Sequence, residues 1–150
     1  MDNILKNARF SHAAIVVRDI DKTLDEYCRL FHLEKPLVKW TGKPEDAKVQ
    51  YRDGQTPAMA KQAFLQFGDL RVEFMEPDEN DSTWREYLEK RGEGFHHFAF
   101  DIDNMEETLE SLGKEGIYPV QRGKYSTGQY AYVESEEKLN VMLELLENKK

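Results

Sequence analysis

Phe95-His96-His97-Phe98-Ala99-Phe100-Asp101-Ile102 has the alternation of a β-strand, with Phe98, Phe100 and Ile102 on one face and His97 and Ala99 on the other. A helix is expected directly after it. Asp103 or Asn104 can cap that helix, Met105, Leu109 and Leu112 recur at the spacing of one helical face, and Gly116 marks the exit. The same order of parts stands near the start of the chain. Residues 10–17 read as a strand in which Ala13, Ile15 and Val17 oppose His12, Ala14 and Val16. Asp19 or Asp21 can cap a following helix whose stripe is Ile20, Leu24, Tyr27 and Phe31, with His32 and Pro36 at its exit. Strand-like pieces follow each helix, at 35–40, 63–67 and 70–76 in the first half and at 117–121, 129–133 and 139–145 in the second. Each half therefore reads βαβββ.

Between the halves, residues 82–91 form a short helix with Trp84, Tyr87 and Leu88 as its apolar side, followed by Gly92-Glu93-Gly94. These glycines are not a phosphate loop, because they precede a strand instead of joining a strand to a helix. The first half carries one extra segment, 41–60, with Gly42, Pro44, Gly54 and Pro57 among polar residues; it reads as a long loop of the kind that often borders a functional site. The expectation is a single α+β domain over 1–150: a module at 8–77, a linking helix at 82–94 and a second module at 95–147.

A chain of 150 residues can bury roughly two thirds of its unfolded surface, enough for a real core. Its longest apolar run, 13–17, is far too short to cross a bilayer, and no apolar stretch follows the basic residues of the N-terminus as a secretory leader would require. A cytoplasmic location is expected. The single cysteine, Cys28, allows no internal disulfide and falls in a helical pattern, as a core thiol would. A net charge of -8 argues against a nucleic-acid partner, which would need clustered cations. The partner expected is a small molecule.

Four polar residues occupy equivalent places in the two halves. His12 and His97 lie on the faces of their strands away from the helix-packing residues. So do Glu73, between Val72 and Phe74, and Glu144, between Leu143 and Leu145. A lone histidine on a strand is usually a hydrogen-bonded structural residue, and a glutamate on a sheet face usually meets water. Their repetition is what surface solvation does not explain. If the curved mixed sheets of two βαβββ units line a common trough with their helices outside, two imidazoles and two carboxylates converge in it. That donor set suits one divalent ion such as Zn, Ni, Co, Mn or Fe(II). His96 falls by alternation on the side of Phe98 and is expected to pack near the linking helix.

Gly68-Asp69 is a two-residue turn of the Gly-X type, which sets the register of the hairpin around it. Phe64 then faces Glu73, Gln66 faces Arg71 and Gln62 faces Met75, so Phe64, Gln66 and Gln62 are expected to line the trough as substrate-binding residues.

These residues resemble the vicinal oxygen chelate superfamily, which includes glyoxalase I and methylmalonyl-CoA epimerase and whose fold is paired βαβββ modules. The resemblance spans nearly the whole chain. Its most specific part is Glu89-Lys90-Arg91-Gly92-Glu93-Gly94-Phe95-His96-His97-Phe98-Ala99-Phe100, similar to the epimerase segment entering its second module. His12 to Val17, Val72-Glu73-Phe74-Met75-Glu76-Pro77 and Leu143-Glu144-Leu145 carry the rest. The resemblance implies His12, Glu73, His97 and Glu144 as the metal ligands, and an isomerase, epimerase or lyase acting on a small oxygenated metabolite through a metal-stabilised enolate or enediolate. By analogy with glyoxalase I, it also implies a ligand glutamate as the catalytic base, Glu144 first and Glu73 second, in a chain expected to form a homodimer. The superfamily also holds antibiotic-sequestering binding proteins and extradiol dioxygenases, which are the alternatives. Ahead of the last strand this chain has Tyr132 to Glu137 where the epimerases have a His-Pro-Lys stretch, and it has Met75 to Asp78 where glyoxalase I has an Asn-rich segment. Neither acyl-CoA nor glutathione is thereby implied as substrate.

Overall fold

The computed structural model describes residues 3–150. In chain order its elements are β1 (Arg9–Val16), α1 (Ile20–Phe31), β2 (Lys39–Trp40), α2 (Pro44–Ala47), β3 (Gln50–Tyr51), β4 (Gly54–Gln55), β5 (Ala60–Phe67), β6 (Leu70–Pro77), α3 (Thr83–Arg91), β7 (Gly94–Asp101), α4 (Met105–Lys114), β8 (Pro119–Tyr125), β9 (Gly128–Val133), α5 (Glu136–Leu139) and β10 (Met142–Asn148). The strands make one mixed sheet, ordered β2-β5-β6-β1-β7-β10-β9-β8-β3-β4 and curled into a half-barrel, so the class is α+β as expected. No helix among the described residues is long and apolar enough to cross a membrane.

The caps resolve as side-chain geometry demands. The Asp19 carboxylate accepts from the Lys22 amide, Ser82 Oγ from the Arg85 amide and Asn104 Oδ1 from the Glu107 amide, each satisfying a donor that has no partner in the first turn of its helix. At the middle of the sheet β1 and β7 run antiparallel, and each has a parallel partner, β6 beside β1 and β10 beside β7. Both walls of the trough therefore come from a single chain.

Two apolar cores lie on the outside of the curl. Ile20 and Leu24 of α1 pack on Ala63, Leu65 and Phe74, with half-buried Cys28 beside them, and Met105, Leu109 and Leu112 of α4 pack on Ala131, Val133, Leu143 and Leu145. A third core sits inside. Trp84 and Leu88 of α3 join Val16, Met75, Tyr130 and Tyr132 there, so the segment expected only to link the halves plugs one end of the trough.

Several expectations are corrected. The segment 41–60 is no bare loop: after β2 at one edge of the sheet it forms α2, buries Ala47 and Val49, and adds the β3–β4 hairpin to β8 at the opposite edge. The strand read at 35–40 shrinks to Lys39–Trp40, because Pro36 lacks an amide donor and Leu37 points to solvent, 75% exposed. The strand read at 139–145 begins at Met142; Leu139 closes a helical turn that ends at Asn140 in the left-handed region, φ 61°. The Gly68-Asp69 turn has Gly68 at φ 60° and sets the expected register, with Phe64 opposite Glu73, Gln66 opposite Arg71 and Gln62 opposite Met75.

Candidate metal centre

Two rows of residues cross the middle of the sheet. Ala14 of β1 lies between Glu73 of β6 and His97 of β7, and Ala99 of β7 lies between His12 of β1 and Glu144 of β10. Ala14 and Ala99 are completely buried and form a floor. Any larger side chain there would fill the space into which the four polar groups reach.

The structure brings His12, Glu73, His97 and Glu144 together, one donor atom from each lying within 4.8 Å of all the others. His12 Nε2 is 3.3 Å from Glu144 Oε2 and 3.5 Å from Glu73 Oε1, while His97 Nε2 is 2.9 Å and 3.7 Å from the same two atoms. Even so, His12 Nε2, His97 Nε2 and Glu144 Oε2 are buried without a partner in hydrogen-bond geometry. Buried polar atoms left unpaired are costly, so three of them aimed at one point call for a common partner. Donors each about 2.1 Å from one ion would stand roughly 3–4 Å apart, which is close to the spacing seen. The donor set fits a divalent ion.

Without an ion the four groups must balance one another's charge. Burial alone would lower the pKa of His12, but the Glu144 and Glu73 carboxylates outweigh it and raise the imidazole to about 10. Burial likewise favours a protonated Glu144, yet His97 and His12 hold its carboxyl well below the usual range.

The second nitrogens of the rings orient them. The hydroxyl of Ser11 lies 3.0 Å from His12 Nδ1, and His96 Nδ1 lies 2.7 Å from His97 Nδ1. A His97 ring that turns its Nε2 lone pair toward an ion must carry its proton on Nδ1 and donate it to His96. The His96 proton then sits on Nε2, facing Thr83 Oγ1 at 3.4 Å, and the Thr83 hydroxyl donates to Met142 Sδ at 3.2 Å. Burial, then the neighbouring His97, depresses His96 to about 3, so it is neutral as this relay requires.

His96 corrects the alternation drawn from sequence. Ala14 pairs with His97 but Ile15 pairs with Phe95, leaving His96 as the extra residue of a β-bulge. Both adjacent histidines consequently point into the trough, His96 against Tyr87 and Tyr132, and Phe98 stays 37% exposed on the outer side.

Beside the four residues opens a cavity of about 500 Å³, within the usual range for a small-molecule site. Phe64 and Gln62 line it, and Phe64 stands edge-on to His12 with ring centres 5.4 Å apart. Gln66 does not line it; its amide turns back to donate to the Gly68 carbonyl at 2.8 Å. Arg71, Trp84, Tyr130 and Tyr132 also border the cavity, and none was singled out from sequence. One had a visible signal: Arg71 stands two residues before Glu73 on the same strand face. Tyr132 pairs directly with Glu144, a register that only the folded sheet sets. Trp84 had none, because nothing local says that α3 enters the trough. There its indole donates to the Tyr132 hydroxyl at 2.9 Å.

Residues 11–133 match the family model of the glyoxalase/bleomycin resistance protein/dioxygenase superfamily. The chain belongs to that superfamily. Among its relatives, the uncharacterized protein YqjC of Bacillus subtilis (strain 168) is 33% identical over 90 residues, 58% of this chain and 64% of that protein, so the match spans less than two thirds of the relative's length. A hypothetical protein from Bacillus halodurans C-125 has a similar structure, with 24% identity, 97% of each chain covered and a TM-score of 0.66. The methylmalonyl-CoA epimerase from Mycobacterium tuberculosis is also similar, with 18% identity, 94% of this chain and 88% of that chain covered and a TM-score of 0.62. At these identities the solved structures bear on the fold of this superfamily member and not on its substrate.

Proposed function

We propose that this protein is a divalent-metal enzyme of the isomerase, epimerase or lyase kind, removing a proton next to a carbonyl in a small oxygenated metabolite. One observation carries the reading: three buried, unpartnered donor atoms on His12, His97 and Glu144 converge with Glu73 at the wall of a cavity open to a small molecule. His12, His97, Glu73 and Glu144 would hold the ion, with Zn, Ni, Co and Mn all suited to two imidazoles and two carboxylates. When bound, a divalent ion supplies Lewis acidity that offsets negative charge developing on substrate oxygens.

The residues of the chain do the rest. Glu144, held ionised by its histidine neighbours, can accept the proton, and Glu73 stands on the other side as the second candidate. Trp84 and Tyr132 exclude water from one end of the trough, and Phe64 walls it beside His12. Return of the proton to the opposite face of the same carbon would give an epimerase, and to the next carbon an isomerase. All four candidate ligands come from one chain, so the homodimer belongs to this proposal as assembly and not as a condition of the site.

The test has two steps. Elemental analysis after reconstitution with Zn, Ni, Co or Mn should find one ion per chain in the wild type and none in His97→Ala; a wild type that holds no metal would leave a binding protein as the better reading. With a panel of 2-oxo and 2-hydroxy compounds in deuterated water, Glu144→Gln should slow proton exchange by at least about 100-fold while still binding metal. Unchanged exchange would pass the role of base to Glu73.

A further inference from the structure

Arg71 has no assigned task in the chemistry above, yet it borders the same cavity. It shares a strand face with Glu73 and Met75, which places it nearer the open end of the trough. Its guanidinium carbon lies 3.7 Å from the centre of the Phe64 ring, whose edge meets His12. Two ring contacts thus connect the guanidinium to the proposed metal site.

Among the described residues nothing neutralises this cation. Arg29, Arg52, Arg85, Arg91 and Arg122 each sit on a carboxylate, Arg18 reaches the Leu88 carbonyl, and Arg9, exposed at the start of β1, does not border the cavity. Arg71 has no carboxylate or carbonyl partner among the described residues, in a chain with 29 acidic and 21 basic side chains. The remaining acid at the cavity wall, Asp101, accepts from Asn148 Nδ2 at 3.0 Å. Stacking on Phe64 occupies the flat face of the guanidinium and leaves its N–H edge free. That edge matches two oxygens of a carboxylate or phosphate.

We infer that Arg71 is an anion subsite, and that the substrate carries a carboxylate or phosphate group in addition to the oxygens presented to the metal. This deepens the metal-enzyme reading and rests on it for the position of the substrate's other end. A divalent ion and the two glutamates cancel in charge, so an anionic tail is attracted by Arg71 without opposition from the metal site.

The experiment compares matched probes on cobalt-loaded and metal-stripped protein by calorimetric titration: 2-oxoglutarate against 2-oxopentanoate, and 3-phosphoglycerate against glycerate. In the wild type the probe with the remote anion should bind at least about tenfold tighter in one pair, and that pair tells carboxylate from phosphate. In Arg71→Gln the advantage should fall below about threefold with the other probe's affinity unchanged, and Arg71→Lys should restore part of it. Arg71 is exposed, so these variants keep the fold. Equal or absent binding across both pairs, or an advantage that survives Arg71→Gln, overturns the inference. Failure to hold cobalt would instead count against the metal reading, while the paired probes on metal-stripped protein would still report on Arg71.

Discussion

Replacing His96 with leucine tests how firmly the ring of His97 is held. The His97 side chain is 0% exposed, and its Nδ1 has its partner in His96 at 2.7 Å. Leucine fills much of the same volume but accepts no hydrogen bond, and water does not reach the site to substitute. A buried donor left without an acceptor costs about 1–3 kcal/mol, and losing such an outer partner typically lowers metal affinity about 10- to 100-fold. The same deletion on the other histidine should matter less. The contact of Ser11 with His12 is only partly buried, so in Ser11→Ala a water can take the place of the hydroxyl and the loss should stay below about threefold. Competition of each variant with a chromophoric chelator for zinc, at one pH, measures both. His96→Asn, whose side-chain oxygen can accept from Nδ1–H, should recover part of the affinity. Wild-type affinity in His96→Leu, or an equal loss in Ser11→Ala, would refute the relay of protons from His97 through His96 to Thr83.

Metal uptake should release a proton. In the metal-free chain His12 titrates at about 10 instead of 6.5, so its charged form contributes stability in full below pH 6.5 and loses it as pH rises through 10. An ion must displace that proton, so affinity should keep rising with pH up to about 10, and calorimetry near pH 7.5 should give heats that vary with the ionisation enthalpy of the buffer; heats independent of buffer would count against His12 as a ligand. Trp84→Phe leaves the buried Tyr132 hydroxyl without its donor and should cost about 1–3 kcal/mol, a fall of about 2–4 °C in Tm per kcal/mol for a chain of this size. Adding Tyr132→Phe should then cost little more, and strictly additive losses would show that the bond contributes nothing.

The placement of His12, Glu73, His97 and Glu144 was legible in the sequence because it rests on two short-range rules. Side chains alternate along a strand, and the Gly68-Asp69 turn admits one register, so the face carrying each residue follows from its immediate neighbours. Helix starts were equally local, down to a choice of Asp19 over Asp21 and of Asn104 over Asp103 as the capping residue. What only the tertiary structure decided depends on partners distant in the chain. The bulge that turns His96 inward exists because β7 is matched against β1, and no feature of Phe95-His96-His97 alone announces an unpaired residue. The passage of 41–60 across to β8, and the entry of Trp84 into the trough, follow from apolar side chains finding a core that both halves build together. Alternation assigns a residue to a face of its own strand; which other surfaces that face meets is set by packing between elements, where the energy gained depends on area brought together and not on sequence spacing.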